Sequence, residues 1–204
     1  MKLYERLPET VTVGGRTYKC DFDFRNVLKM LEIMNRKDII PDARDYLCIK
    51  CVISHKIPSK IVSSVYNELC TVLFPKPEKQ PENGEKQPRI MSYEKDAGLI
   101  RAAFRQVYGI DLFRAKLHWF EFTELLQNLP DGNRFEEVIS IRSRPLPPPN
   151  KYNMEQRAWL IKAKRSVALE VTEEEAAENY SRGVRNLFHM LLNLAKKDGE
   201  DVDK

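Results

Sequence analysis

The side chains best spaced for chemistry are two thiols three residues apart, Cys48 and Cys51 in the run CIKC. CxxC spacing serves zinc, where thiolates and imidazoles surround the ion, and thiol–disulfide exchange, where one thiolate attacks and the other resolves. Each use makes a demand on the rest of the chain. A redox pair opens a helix after a strand, where the helix N-terminus lowers the thiol pKa. Here both thiols sit well inside a helical pattern, Ala43 to His55. A zinc site needs further ligands, and Cys20, Cys70 and His55 include no second pair with ligand spacing. At i and i+3 the thiols share one helix face with Leu47 and Val52 nearby, which suits small core residues. Buried structural thiols are the expectation, with no metal and no cofactor; a metal or redox protein using Cys48 and Cys51 is the alternative. An even cysteine count in a chain of 204 residues, read as lacking a secretion signal, does not indicate a disulfide framework.

No other group of residues forms a catalytic pattern. His55, His118 and His189 fall in three different expected helices, without a nucleophile elbow or an HExxH arrangement beside any of them. Gly14 and Gly15 belong to a hairpin, and no glycine-rich loop precedes a helix in a phosphate-cradling pattern. The carboxylates are scattered over helix surfaces. The chain is therefore read as a non-enzyme with no catalytic residue. Its 34 basic and 30 acidic side chains leave a net charge of only +4, whereas nucleic-acid binders show a stronger or more clustered excess. A nucleic-acid-binding regulator is kept as an alternative, because Lys162, Lys164 and Arg165 cluster near one helix end. The opening MKLYERLPET has no apolar run after its basic residue, so secretion is not expected. No stretch approaches the roughly 20 apolar residues of a membrane span.

The elements around these residues are mainly helical: a helical bundle with a short N-terminal β-hairpin is the expected fold. Thr10 to Val13, Gly14-Gly15 and Arg16 to Cys20 give alternating strand formers around a two-residue turn. Asp23 caps a helix to about Asn35, Pro41 opens the next, and a third restarts at Pro58. Residues 1–74 thus hold the hairpin and three helices. Residues 75–90, rich in proline and without an apolar residue from Pro75 to Pro88, are a flexible linker or loop. The region 91–143 packs on the first. It contains a helix from Tyr93 to Tyr108 stopped by Gly109, a second capped by Asp111 and running through LFRAKLHWFEFTELLQNL, and a third from Asn133 to about Ile141. The second holds more large apolar groups than one stripe can bury.

Arg144 to Asn150 must be an extended proline-rich spacer. RSRPLPP also matches a polyproline ligand, for which a stiff spacer is the simpler account. The C-terminal helical region 151–204 first carries Met154, Trp159 and Ile161. Its last helix is framed by a capping box of Thr172 with Glu175 and closed by Lys196 and Lys197. Tyr180, Val184, Leu187, Leu191 and Leu194 step by four, three, four and three, widened by Phe188, the spacing of a helix laid on another helix. That stripe packs either on the chain's own bundle or on another protein.

The central block adds a resemblance. SYEKDAGLIRAAFRQVYGIDL (92–112) and LHWFEFTELLQNLPDGNRFEEVISIRSRPL (117–146) resemble the "gene product fifteen" family of Gram-positive siphophages. Its motifs correspond here to Tyr93, Asp96 and Ala97; to Tyr108 through Leu112; to Leu117, His118, Trp119 and Phe122; and to Phe135, the Val138-Ile139 pair and Arg142. The hairpin leading into DFDFRNVLKM is similar as well. The resemblance implies a tail-assembly chaperone encoded near the tape-measure gene. It would bind the tape-measure protein and recruit major tail (tube) protein, with self-association or a companion chaperone as further partners. It would work in the cytoplasm of the infected or lysogenic host and be absent from the mature virion, with no nucleic-acid or membrane partner. Tyr180, Val184, Leu187, Phe188, Leu191 and Leu194, with Trp119, Phe120 and Phe122, are the expected partner-binding residues.

Overall fold

Gly14 at φ 58° and Gly15 at φ 75° form the two-residue turn whose twist suits the strands on either side. Those strands, β1 (Thr10–Val13) and β2 (Arg16–Lys19), run antiparallel with Val11 opposite Tyr18. Alternation puts Val11 and Tyr18 into the core, while Thr10, Thr12, Thr17 and Lys19 are exposed. The computed structural model describes residues 4–75 and 89–170. The molecule is mainly α, with seven α-helices besides this hairpin among those residues.

Beyond β2 the backbone ties distant segments together. Asp21 N–H donates to the Val52 carbonyl at 2.8 Å, Phe24 N–H to Leu117 at 3.0 Å, and Trp119 N–H to Phe22 at 2.7 Å. Helix α1 (Phe24–Met34) begins where Asp23 accepts from Arg25 N–H at 3.0 Å. Helix α2 (Pro41–Val52) has proline in its first turn, as its fixed φ favours. It stops at Val52, short of His55, because Ile53 turns extended and is buried. Helix α3 (Val62–Leu73) starts later than Pro58: that proline is extended and leads into a 3₁₀ turn, Ser59–Ile61. Val65, Leu69 and Leu73 point into the core from α3.

Helix α4 (Ala97–Tyr108) ends in Gly109 at φ 68°, the left-handed position glycine fills without a Cβ penalty. It begins four residues after Tyr93, since Ser92 to Asp96 is a turn closed by Ser92 N–H donating to the Asp96 carboxylate at 2.9 Å. The expected long helix from Asp111 is broken. Asp111 closes a turn by accepting from Phe113 N–H at 3.1 Å, and Phe113 is exposed rather than inward. Leu117 to Trp119 then pairs with the continuation of β2, so α5 (Trp119–Gln127) starts only after His118. Helix α6 (Arg134–Ser143) is capped by Asn133, which accepts from Glu136 N–H at 3.0 Å.

Residues up to Pro145 form one compact unit and those from Leu146 a second. In the second, the prolines lead to α7 (Met154–Ser166), and Asn153 donates to the Pro148 carbonyl at 2.9 Å. The expected helix from Thr172 to Lys197, with Tyr180, Val184, Leu187, Phe188, Leu191 and Leu194, lies outside the described residues, as do residues 76–88. No helix among the described residues is long and apolar enough to cross a membrane.

Candidate functional site

Two of the aromatic residues expected to meet a partner, Trp119 and Phe122, lie in the core of the first unit. Trp119 is 4% exposed, and its indole N–H donates to the Leu73 carbonyl at 3.3 Å. Phe74 meets it edge-on at 6.1 Å and Tyr93 at 6.0 Å. Phe122, 1% exposed, stacks on Phe24 at 4.6 Å and on Phe104 at 5.4 Å. Trp119 and Phe122, two of the residues expected to bind a partner, are thus buried among aromatic rings of the first unit. Phe120 is half-buried, packed against the His118 ring at 5.5 Å.

Two polar ties lock this core. Asp96, 2% exposed, receives two hydrogen bonds from Arg142, Nη1 to Oδ2 at 2.7 Å and Nη2 to Oδ1 at 2.9 Å. Arg142 also donates to the Ile90 carbonyl at 3.1 Å. Burial alone would raise the Asp96 pKa. The Arg142 hydrogen bonds, the Ser92 N–H and the guanidinium charge outweigh burial and hold it below the usual carboxylate value. The second tie is His118. Its Nδ1 accepts from Phe120 N–H at 3.2 Å, capping α5, so the proton sits on Nε2, which donates to the Pro8 carbonyl at 2.9 Å.

Beside the hairpin opens a groove of about 410 Å³ lined in part by Lys19, Asp21, Asp23, Lys116 and His118. Two of its potential acid–base groups, Asp23 and His118, are committed elsewhere. Asp23 is held below its ordinary pKa first by the Arg25 hydrogen bond, Nη2 to Oδ2 at 2.7 Å, and both nitrogens of His118 are engaged. Neither is left as a general base aimed into the groove.

The thiols are also unsuited to attack. Burial pushes Cys48 and Cys20 up to about 11, and raises Cys51 and Cys70 as well. Such thiols stay protonated at neutral pH and are weak nucleophiles. Cys48 donates toward the Met30 carbonyl at 3.7 Å and Cys51 toward Leu47 at 3.5 Å, as packed thiols do. Among the described residues no three His, Cys, Asp or Glu side chains come together in a group that could hold a metal ion.

The uncovered apolar groups lie elsewhere. In the first unit Ile40, Leu47 and Phe113 are exposed, with Arg101 over the Phe113 ring at 4.4 Å. In the second, Tyr152, Met154 and Trp159 are exposed within eight residues of chain. The run was legible as apolar residues set among polar ones, though only Met154 and Trp159 stood out in the sequence.

A family model, the Bacteriophage Gp15 protein, matches residues 3–169. The chain belongs to that family. No curated protein and no solved structure matches it. The residues that carry the Gp15 resemblance are largely those that hold the fold. Trp119, Phe122 and Phe135 fill the core, Asp96 and Arg142 form the buried ion pair, and His118 joins α5 to the segment before β1. Tyr108 belongs with them, its hydroxyl donating to the Leu125 carbonyl at 2.9 Å. The Gp15 motifs describe a scaffold rather than a contact surface.

Proposed function

We propose that this Gp15 family protein is a tail-assembly chaperone. It binds the tape-measure protein and recruits tail-tube subunits without catalysing a reaction, in the cytoplasm of the infected or lysogenic host. The observation that carries this reading is the family match over residues 3–169, joined to the resemblance of the central block to siphophage proteins encoded near the tape measure. A tape measure is a long helix-forming chain whose apolar stripes are open before the tube encloses it. A partner for it needs repeated, reversible, moderately apolar contacts, which amphipathic helices supply. The 180–194 stripe has that pattern in the sequence, and Tyr152, Met154 and Trp159 add exposed apolar groups.

Co-expression with the tape-measure protein, followed by pull-down and sizing, tests the reading. The expected outcome is a complex that keeps the tape measure soluble and that weakens with Leu187→Asp or Leu191→Asp. A tape measure that stays insoluble, with nothing co-purifying, removes the chaperone role.

A further inference from the structure

The hairpin's backbone is satisfied on one side only. Cys20 N–H donates to the Glu9 carbonyl at 2.8 Å, which makes Glu9 and Cys20 a hydrogen-bonded pair. With the observed register, Val11–Tyr18 and Val13–Arg16 are bonded pairs, and Thr10–Lys19 and Thr12–Thr17 are non-bonded ones. The N–H and C=O groups of Thr10 and Thr12 therefore point away from β2. Those of Thr17 and Lys19 point outward on the opposite edge. None of these four residues has a further backbone partner among the described residues.

The two edges differ in chemistry. The β2 edge runs into Asp21, whose N–H is taken by Val52, and its strand carries Arg16 and Lys19. Charged residues are what keep an edge from pairing. β1 reads Thr-Val-Thr-Val: uncharged and wholly β-branched, without proline, and both its threonines are exposed. It is short, but it has neither the charge nor the proline that would keep such an edge from pairing.

We propose that β1 pairs antiparallel with β1 of a second copy of this chain, about a two-fold axis through Val11, giving a four-stranded sheet. The axis sets Thr10 against the partner's Thr12, and Thr12 against the partner's Thr10. Each is a bonded pair, so every outward N–H and C=O of these threonines is used. A second copy is the occupant because the free groups sit at i and i+2 about one central residue, which is self-complementary as a two-fold interface requires. No like charges meet across the axis, and threonine beside threonine is a favourable cross-strand pair. A four-residue strand pair is small, so the dimer is weak and reversible, dissociating at ~10 μM to 1 mM. The inference stands apart from the chaperone role.

Sedimentation of the full chain across that range, with amide hydrogen exchange by NMR, tests it. The dimer fraction is expected to rise with concentration while the Thr10 and Thr12 amides slow at least several-fold and those of Thr17 and Lys19 stay fast. Thr12→Pro removes an outward N–H that the hairpin itself does not use, and should leave a folded monomer. Thr17→Pro makes the matched change on the other edge, losing the same Thr12–Thr17 hydroxyl contact, and should dimerise like the parent. If Thr12→Pro fails to fold, the exchange pattern of the parent decides. A chain monomeric throughout overturns the proposal, as does undiminished dimerisation of folded Thr12→Pro. So does protection at Thr17 and Lys19 instead, or at Thr10 and Thr12 only after another protein is added.

Discussion

The chain's two tryptophans lie in opposite surroundings. Trp119 is 4% exposed, among the rings of Phe74, Tyr93 and Phe122; Trp159, on α7, is 57% exposed. Their local sequences explain the contrast. Around Trp119, helix α5 also carries Phe120, Phe122, Leu125 and Leu126, apolar over so much of its circumference that it must sit inside. Trp159 stands among Gln156, Arg157 and Lys162, on a helix whose polar residues occupy most positions. Aromatic density in a helix thus marks the core, and a candidate contact is better sought where an aromatic stands isolated on a polar helix. Single exposed apolar residues are ordinary; here Tyr152 and Met154 are exposed in the same stretch.

The comparison breaks most visibly in stability. Trp119→Ala removes a ring enclosed by Phe74, Tyr93 and Phe122, and is expected to cost about 3–5 kcal/mol, read as a lower urea midpoint. Next comes Arg142→Met. It leaves the Asp96 carboxylate buried without its partner, at a cost of about 3 kcal/mol, whereas Asp96→Leu with Arg142→Met should recover much of that loss. The pH dependence follows from the depressed Asp96 pKa. A carboxylate with its folded pKa below the unfolded value of about 3.9 contributes its full stability above that value. The contribution is lost as pH falls toward the folded pKa. Below about pH 4 the parent's midpoint should drop more steeply than that of the double variant. Equal slopes would mean that the pair does not carry this part of the acid sensitivity.

Much of the fold was legible because its signals are local. The Gly14-Gly15 turn, the Asp23 cap, proline at the start of α2 and the left-handed Gly109 each act within a few residues. The start of α5 was not legible. Asp111 is a good cap by type, and apolar residues recur after it as far as Leu129, but Leu117 to Trp119 is drawn into an extended bridge with Phe22 to Phe24. That pairing lies about 95 residues away in sequence and outweighs the local propensity. Histidine is not a favoured cap residue, so nothing short-range marked His118. The buried pair of Asp96 and Arg142 was hidden for the same reason, although both stood among the motif residues. That Trp119 and Phe122 are buried was not legible either, because excess apolar surface on one helix fits a crowded core as well as an interface.

His118 permits a smaller test. His118→Ala removes the cap on Phe120 N–H and the bond to Pro8, and is expected to lower stability by about 1–2 kcal/mol. It should also raise exchange at the Phe120 amide in particular. His118→Asn, which can still cap, should restore part of the helix start without restoring the reach to Pro8. If both variants melt with the parent, the ties at His118 add nothing to the folded state.

The smallest effect is on stability at Trp159 itself, where Trp159→Ala should stay within about 0.5 kcal/mol of the parent. Its test is optical. Trp119→Phe leaves Trp159 as the only indole, and its emission should be red-shifted and readily quenched by acrylamide. Trp159→Phe leaves Trp119, whose emission should be blue-shifted and several-fold less quenchable. If Trp159 proves as shielded as Trp119, α7 is covered in solution and the contrast between the two regions is lost, along with Trp159 as a contact for the tape measure. If it is open in the free chain and becomes shielded when the tape-measure protein is added, the isolated aromatic on a polar helix is the working surface and the dense aromatic helix is scaffold.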